Sequence, residues 1–309
     1  MKILVTGGAG YVGSILIPRL LAESHDVRVL DNLMYHNSSL FQYFIEPRFE
    51  FVRGSVTDRK TLVSCAKGVQ VVIHLAGIVG FPACKKNPDL ARRVNFEASK
   101  MLAETLSRDI PIIFSSTCSV YGEGINEECT EESPPHPLTL YGETKAKAEE
   151  CLLSRGNTII FRFATAFGMS PRMRLDLLIN SFVYEALWRK YLIVYEKNYK
   201  RGFIHVVDMA NTILFALRNL DRMTGGIYNA GSSAMNLTKE DVAKRIQAKL
   251  DFYLHFADVG TDEDRRNYSI SYRKLEALGY EPKISLDRGL DELIRGLSTL
   301  DFRDPYSNM

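Results

Sequence analysis

Cysteine is scarce in this chain and carries no pattern. Cys65, Cys84, Cys118, Cys129 and Cys151 are the only five among 309 residues, with no C-x-x-C pair and no histidine at zinc-ligand spacing. They read as reduced thiols, which excludes a disulfide scaffold and a zinc module. An excess of one charge is also missing: 39 basic against 37 acidic residues give a formal charge of +2, so no polyanion-binding surface is expected and nucleic acid is not a partner. The amino terminus, MKILVTGGAGYVG, holds an apolar run of only three residues before glycines intervene. That is too short for a signal-peptide core or a membrane span, so a soluble, cytoplasmic protein without a membrane partner is expected. Repeats, low-complexity tracts and Pro/Ser/Gly-rich linkers are absent as well, so any domain boundary must be sought in the pattern itself.

The first half alternates short apolar runs (KILVTG, DVRVLD, FEFVRG, VQVVIHLAG, IPIIFSS, NTIIFRFAT) with segments of helical spacing such as DLARRVNFEASKMLAETLSR, residues 89–108. Apolar runs without polar alternation suit strands buried on both faces of a parallel sheet. This predicts an α/β fold, a Rossmann doubly wound parallel sheet, with a smaller mixed α/β substrate-binding lobe. The alternation breaks down after FRFATAFG, which places residues 1–165 in the dinucleotide-binding domain and 166–309 mainly in the second lobe. Segments near 203–220 and 226–231 return to the first domain.

Gly7, Gly10 and Gly13 stand between the apolar run KILVT and the helical pattern SILIPRLLAE. Glycines there permit a tight turn and close backbone approach to a pyrophosphate at a helix amino terminus. The next strand pattern ends at Asp31, 18 residues after Gly13, where a carboxylate can accept hydrogen bonds from a ribose. The acid repels a 2'-phosphate, and the following residue is Asn32 rather than arginine, which favours NAD over NADP.

Tyr141 and Lys145 lie four apart in PLTLYGETKAKAEE, one helical turn. Alone, the pair reads equally as a helix-edge tyrosine above a solvated lysine. Beside a nicotinamide cofactor, the ammonium and the oxidised ring stabilise a phenolate, and Tyr141 becomes a base for a substrate hydroxyl. Thr117, 24 residues earlier and expected just beyond the carboxyl end of the fifth strand, is placed to orient that hydroxyl. His74, His136 and His205 are left out of this set, since His74 and His205 sit in apolar strand patterns that suit hydrogen-bonded core histidines.

TGGAGYVG, Asp31, HLAG, VNFEAS, SSTCSVYG and YGETK, in this order, resemble the extended short-chain dehydrogenase/reductases that act on nucleotide sugars, the NAD-dependent epimerase/dehydratase group. The resemblance covers essentially the whole chain. It implies NAD held by Gly7, Gly10, Tyr11, Val12, Asp31, Asn32, Leu75, Ala76, Asn95, Tyr141 and Lys145. It also implies a homodimer in which helices near 89–107 and 140–154 form a four-helix bundle.

Departures from neighbouring subfamilies narrow the chemistry. Dehydratases typically follow the threonine with Asp-Glu, whereas Cys118 and Ser119 follow Thr117 here. Ser119 stands where epimerase/reductases carry a cysteine, and Cys118, one position off, is expected on the opposite side of an extended strand as a packing residue. What remains is hydride chemistry at a sugar hydroxyl, expected at C4: either oxidation followed by return to the other face, which is 4-epimerisation, or a one-way dehydrogenase or ketoreductase. The second half resembles the GDP-mannose-type heptose C4 dehydrogenases of capsule-sugar pathways. By the same resemblance Arg201 meets the sugar diphosphate. Arg174 and Arg266 are further candidates, because guanidinium forks match phosphate oxygens, although each also reads as a solvated or salt-bridged arginine. Gly202 and Thr165 replace an aspartate and an asparagine common in the sugar pocket, and Ser55 replaces the aspartate that often meets adenine. A non-catalytic dinucleotide-sensing regulator of the same fold is the rival from another class.

Overall fold

A computed structural model describes residues 1–122, 128–257 and 267–299. Seven parallel strands form the central sheet: β1 (Lys2–Thr6), β2 (Asp26–Asp31), β3 (Phe49–Arg53), β4 (Val71–His74), β5 (Ile112–Thr117), β6 (Thr158–Phe163) and β7 (Ile227–Ala230). Their spatial order is β7-β6-β5-β4-β1-β2-β3. The order reverses between β1 and β4, which are directly paired from Ile3 opposite Val71 to Thr6 opposite His74. A crevice therefore opens beyond the carboxyl ends of these two strands, where doubly wound sheets bind ligands.

Side-chain alternation gives the sheet a core on each face. Ile3 and Val5 pack with Val29, Ile113, Phe161 and the helices Gly13–Ala22 and Val206–Arg218. Leu4 faces the other way, with Val72, Ile112, Phe114 and Ile160, onto Leu102, Ala148 and Leu152. Edge strand β3 departs from the expectation of two buried faces: Phe49, Phe51 and Val52 are half-buried and Glu50 is exposed, as suits the outermost strand of the sheet among the described residues.

The chain leaves the sheet after Phe163 and returns at Ile227. Between and beyond, it builds the second lobe around Phe167, Ile179, Val183, Phe203, Val242, Ile246, Leu290 and Leu293. Strand Lys200–His205 pairs with Thr165–Phe167 and with Asn236–Thr238, and Tyr191–Tyr195 pairs in parallel with Tyr253–Ala257. The return segments are thus split in role. Residues 206–218 form a helix against the first helix and 227–230 join the sheet, whereas 203–205 stay in the lobe's own small sheet.

The helix expected over 89–108 is interrupted. Pro88–Arg92 and Ala98–Thr105 are α-helical, and Arg93–Glu97 between them is a π-turn. Among the described residues no helix is long and apolar enough to cross a membrane.

Candidate active site

A cavity of about 730 Å³ runs from the glycine loop past Tyr141 to Arg201. Gly7 holds φ +71°, and a Cβ there would lie 2.6 Å from the backbone nitrogen of Ala76 in the loop after β4. The turn therefore requires glycine twice over, for its left-handed backbone and for the close approach. At Gly13 a Cβ would collide with the Gly8 backbone, so this glycine seats the helix against the loop. The helix Gly13–Ala22 has no side-chain cap at Val12 and no acid in its first turn. Its amino terminus is left for an anion.

Asp31 ends β2 at the cleft, its carboxylate accepting from the backbone N–H of Ala9 at 3.0 Å and of Leu33 at 2.8 Å. Burial pushes its pKa up and those two bonds oppose the rise. Asn32 caps its own turn by accepting from the Met34 N–H at 3.0 Å. A tight glycine turn, an open helix terminus and a fixed acid fit a dinucleotide's pyrophosphate and ribose.

Not every expected cofactor residue faces the cleft in the same way. Gly10, Val12, Leu75 and Ala76 line it, whereas Asn95 does not. From the π-turn, Asn95 accepts from the Ile78 N–H at 2.7 Å and donates to the Ile78 carbonyl at 2.9 Å, so its amide shapes the loop after β4 and is spent on it. Tyr11 lines the cleft, but its ring enters the second lobe's core and its hydroxyl donates to the Gly168 carbonyl at 2.6 Å.

Tyr141, Lys145 and Thr117 all line the cleft. Helix Leu140–Ser154 begins at Thr139, whose side chain accepts from the Gly142 N–H, and this cap puts Tyr141 in the first turn with Lys145 one turn on. Thr117 is the last residue of β5, not beyond it. Its hydroxyl donates to Ser119 Oγ at 3.0 Å and accepts from the Ser119 N–H at 3.1 Å. Residues Cys118–Tyr121 form a 3-10 turn rather than extended strand. Cys118 does pack inward, its thiol donating to the Arg162 carbonyl at 3.1 Å, but the tight turn and not strand alternation sends it there.

Lys145 is 2 % exposed and donates to the Ser115 carbonyl at 2.6 Å, with its ammonium 4.4 Å from the centre of the Phe114 ring. Burial pulls its pKa down to about 8, opposed mainly by the Glu149 carboxylate one turn along. Its folded pKa lies below the ordinary 10.5, so the unfolded chain binds more protons between those values and stability rises with pH across that window. Lys145→Met is therefore expected to melt higher than the wild type at pH 7, by at most roughly 3 kcal/mol of stability less the lost bond to Ser115, and to lose that advantage toward pH ~10. Thermal melts of both proteins across this range check it; a pH-independent difference would contradict the burial cost.

His74 is a core residue, bonded to Thr6 Oγ1 at 2.6 Å and Ser99 Oγ at 3.1 Å and pushed to about 3 by burial and Lys145. His205 is also buried, its Nε2 on Glu292 at 2.6 Å. His136 is exposed and does not line the cleft.

The three candidate arginines separate. Arg201 is buried at the cleft's far end, on the strand Lys200–His205. Arg174 lines the cleft near Val79 and Gly80 and is paired with Asp176, Nη2 to Oδ2 at 2.5 Å and Nε to Oδ1 at 3.2 Å. Arg266 lies outside the described residues. Nothing in the local pattern singles out Arg172, Asp176 and Lys239, which also line the cleft. Only the adjacency of Arg172 to Arg174 in SPRMR hints at one of them.

A glycine turn at the switch point of a parallel sheet, a strand-end acid and Tyr-x-x-x-Lys on one cleft define a Rossmann-type dinucleotide-dependent oxidoreductase. The profile of the NAD dependent epimerase/dehydratase family matches residues 3–231, and the chain belongs to that family. The low-salt glycan biosynthesis protein Agl12 of Haloferax volcanii is 31% identical over 95% of this chain and 97% of its own length. UDP-glucuronic acid decarboxylase 4 of Arabidopsis thaliana is 29% identical over 98% of this chain and 70% of its own. Among solved structures, the dTDP-glucose 4,6-dehydratase of Bacillus anthracis in complex with NAD superposes with a TM-score of 0.83 at 26% identity, over 97% of each chain. The UDP-glucuronic acid 4-epimerase of Bacillus cereus superposes at 0.84 over 97% and 99%, with 24% identity. The protein is thus an enzyme of the NAD-dependent epimerase/dehydratase type.

Proposed function

We propose that the enzyme oxidises the C4 hydroxyl of a nucleotide-activated sugar, as a GDP-heptose-type 4-dehydrogenase. The observation that carries the reading is the joint placement of Thr117, Tyr141 and Lys145 in the cleft that begins at the glycine loop and ends at Arg201. NAD, when bound, supplies the two-electron acceptor for the hydrogen on the sugar carbon. Tyr141 takes the hydroxyl proton, and the Lys145 ammonium favours the resulting phenolate. Thr117, its hydroxyl fixed by Ser119, orients the sugar oxygen. Arg201 faces the diphosphate, and Arg174, neutralised by Asp176, is left to the sugar side rather than the phosphates.

Support for dehydrogenation over elimination comes from the turn after Thr117, where buried Cys118 and Ser119 supply no carboxyl group. Support for the second reading, 4-epimerisation, comes from relatives: a putative UDP-glucose 4-epimerase of Methanocaldococcus jannaschii is 28% identical over 94% of this chain. In this reading residues 1–165, with the returning helix and strand, hold the dinucleotide, and 166–309 mainly carry the sugar. The helices of 89–107 and 140–154 would meet a second copy as a four-helix bundle. A non-catalytic regulator is disfavoured by the intact Thr117, Tyr141 and Lys145.

Purified protein incubated with GDP-, UDP- and dTDP-sugars is expected to give rising nicotinamide absorbance and a ketosugar with a GDP-heptose. An inverted sugar without net absorbance change establishes the epimerase. No change in either quantity with any sugar removes the enzymatic proposal at C4.

A further inference from the structure

The pyrophosphate of a dinucleotide carries two negative charges, yet the sheet domain offers it little positive charge. Among the described residues lining the cleft the cations are Lys145, Arg172, Arg174, Arg201 and Lys239. Lys145 is the one contributed by the sheet domain, and its ammonium is engaged with Ser115 beside Tyr141. Arg174 is neutralised by Asp176. Arg201 and Lys239 belong to the small-sheet wall at the opposite end, where Arg201 pairs in register with Leu237.

Arg172 is placed differently. It is 4 % exposed, its Nη1 donates to the Met173 carbonyl at 3.0 Å, and its guanidinium lies 4.3 Å from the centre of the Tyr35 ring. Tyr35 stands four residues after Asp31 and also lines the cleft. The segment bearing Arg172 is stitched to the glycine loop ahead of it: Ser170 Oγ donates to the Tyr11 carbonyl at 2.7 Å and sits 2.9 Å from Ser14 Oγ, and Tyr11 donates to Gly168. The positive charge of Arg172 also opposes the burial-driven rise in the pKa of Asp31, which puts both groups at the same end of the cleft.

We propose that Arg172 is a dinucleotide-binding residue, reaching from the second lobe across the glycine loop to neutralise the pyrophosphate, with Tyr35 holding its guanidinium in place. Backbone N–H groups and the helix terminus cradle the phosphates from below, and Arg172 closes them from above. Asp31 and Arg172 then divide the ADP half between them, the acid taking the ribose and the cation the phosphates. A guanidinium stacked on an aromatic face loses little freedom when it makes such a contact.

The test uses NADH, ADP-ribose and adenosine as ligands of the full chain, so it does not depend on which sugar the enzyme uses. Arg172→Gln is expected to weaken NADH and ADP-ribose about tenfold or more, to speed NADH dissociation, and to leave adenosine unchanged. Arg172→Lys, which keeps the charge, is expected to recover part of the loss. Wild-type affinity for NADH in Arg172→Gln overturns the proposal, and so does an equal loss for adenosine, which would make the residue a strut. If Arg172→Gln does not fold, Tyr35→Ala keeps the cation and removes its support. It should then weaken both phosphate ligands and spare adenosine, and wild-type affinity in that variant also overturns the proposal.

Discussion

Tyr141→Phe should leave a folded protein that still binds NAD and turns over nucleotide sugar roughly 10² to 10⁴ times more slowly, the range a positioned acid–base group supplies. The substitution removes one oxygen from a half-buried ring in the cleft and disturbs neither the helix cap at Thr139 nor the Lys145 bond to Ser115. Melting temperature and NADH affinity should therefore stay near wild-type values while kcat collapses. Near-normal turnover would remove Tyr141 as the base. The same argument makes Thr117→Val a milder lesion, because it loses orientation of the hydroxyl and not the proton acceptor.

Arg162→Leu should cost about 3 to 5 kcal/mol of stability, the penalty for leaving one member of a buried ion pair behind. Arg162 on β6 and Glu149 on the helix that carries Tyr141 are each 3 % exposed, joined at 2.7 Å from Nη2 to Oε2. Glu149 also accepts from Ser116, the residue before Thr117, and Arg162 donates to the Tyr121 hydroxyl at 3.0 Å. Tyr121 in turn donates to Asn229 on β7 at 2.7 Å. Glu149 and Tyr121 hold the Arg162 guanidinium charged against a burial cost that alone would lower its pKa. Removing the arginine strands a carboxylate directly behind Thr117 and Lys145. Chemical denaturation measures the loss, and pairing Arg162→Leu with Glu149→Gln should recover much of it. A single variant as stable as the wild type would show that water reaches Glu149.

The glycine turn, Asp31, and the Tyr141–Lys145 spacing were legible in the sequence because each is local: a strand end, a tight turn, one helical turn. The parallel sheet was legible from runs such as KILVT and VVIH, where Ile3 to Thr6 and Val71 to His74 are all buried. Other features were not legible, because hydrophobic periodicity reports which face is buried and not what a buried polar atom meets. Asn95 reaches back 17 residues to Ile78, and Tyr11 reaches forward 157 residues to Gly168. No local spacing encodes either partner. The 3-10 turn at Cys118–Tyr121 escaped for a related reason: SVY has good strand composition, and the tertiary bond from Cys118 to Arg162 belongs to a neighbour distant in the chain.

The late return of the chain to the sheet has a consequence for anyone wishing to cut the protein in two. A fragment stopped at residue 165 would keep the glycine turn and the Tyr141 helix but would forfeit β7, the outermost ribbon on that flank. Strand β6, every residue of which is now buried, would become a naked rim with unsatisfied main-chain groups and Phe161 and Phe163 beside them. Such a fragment should self-associate on production. Trimming for crystallisation or fusion does not belong at the apparent seam between the lobes.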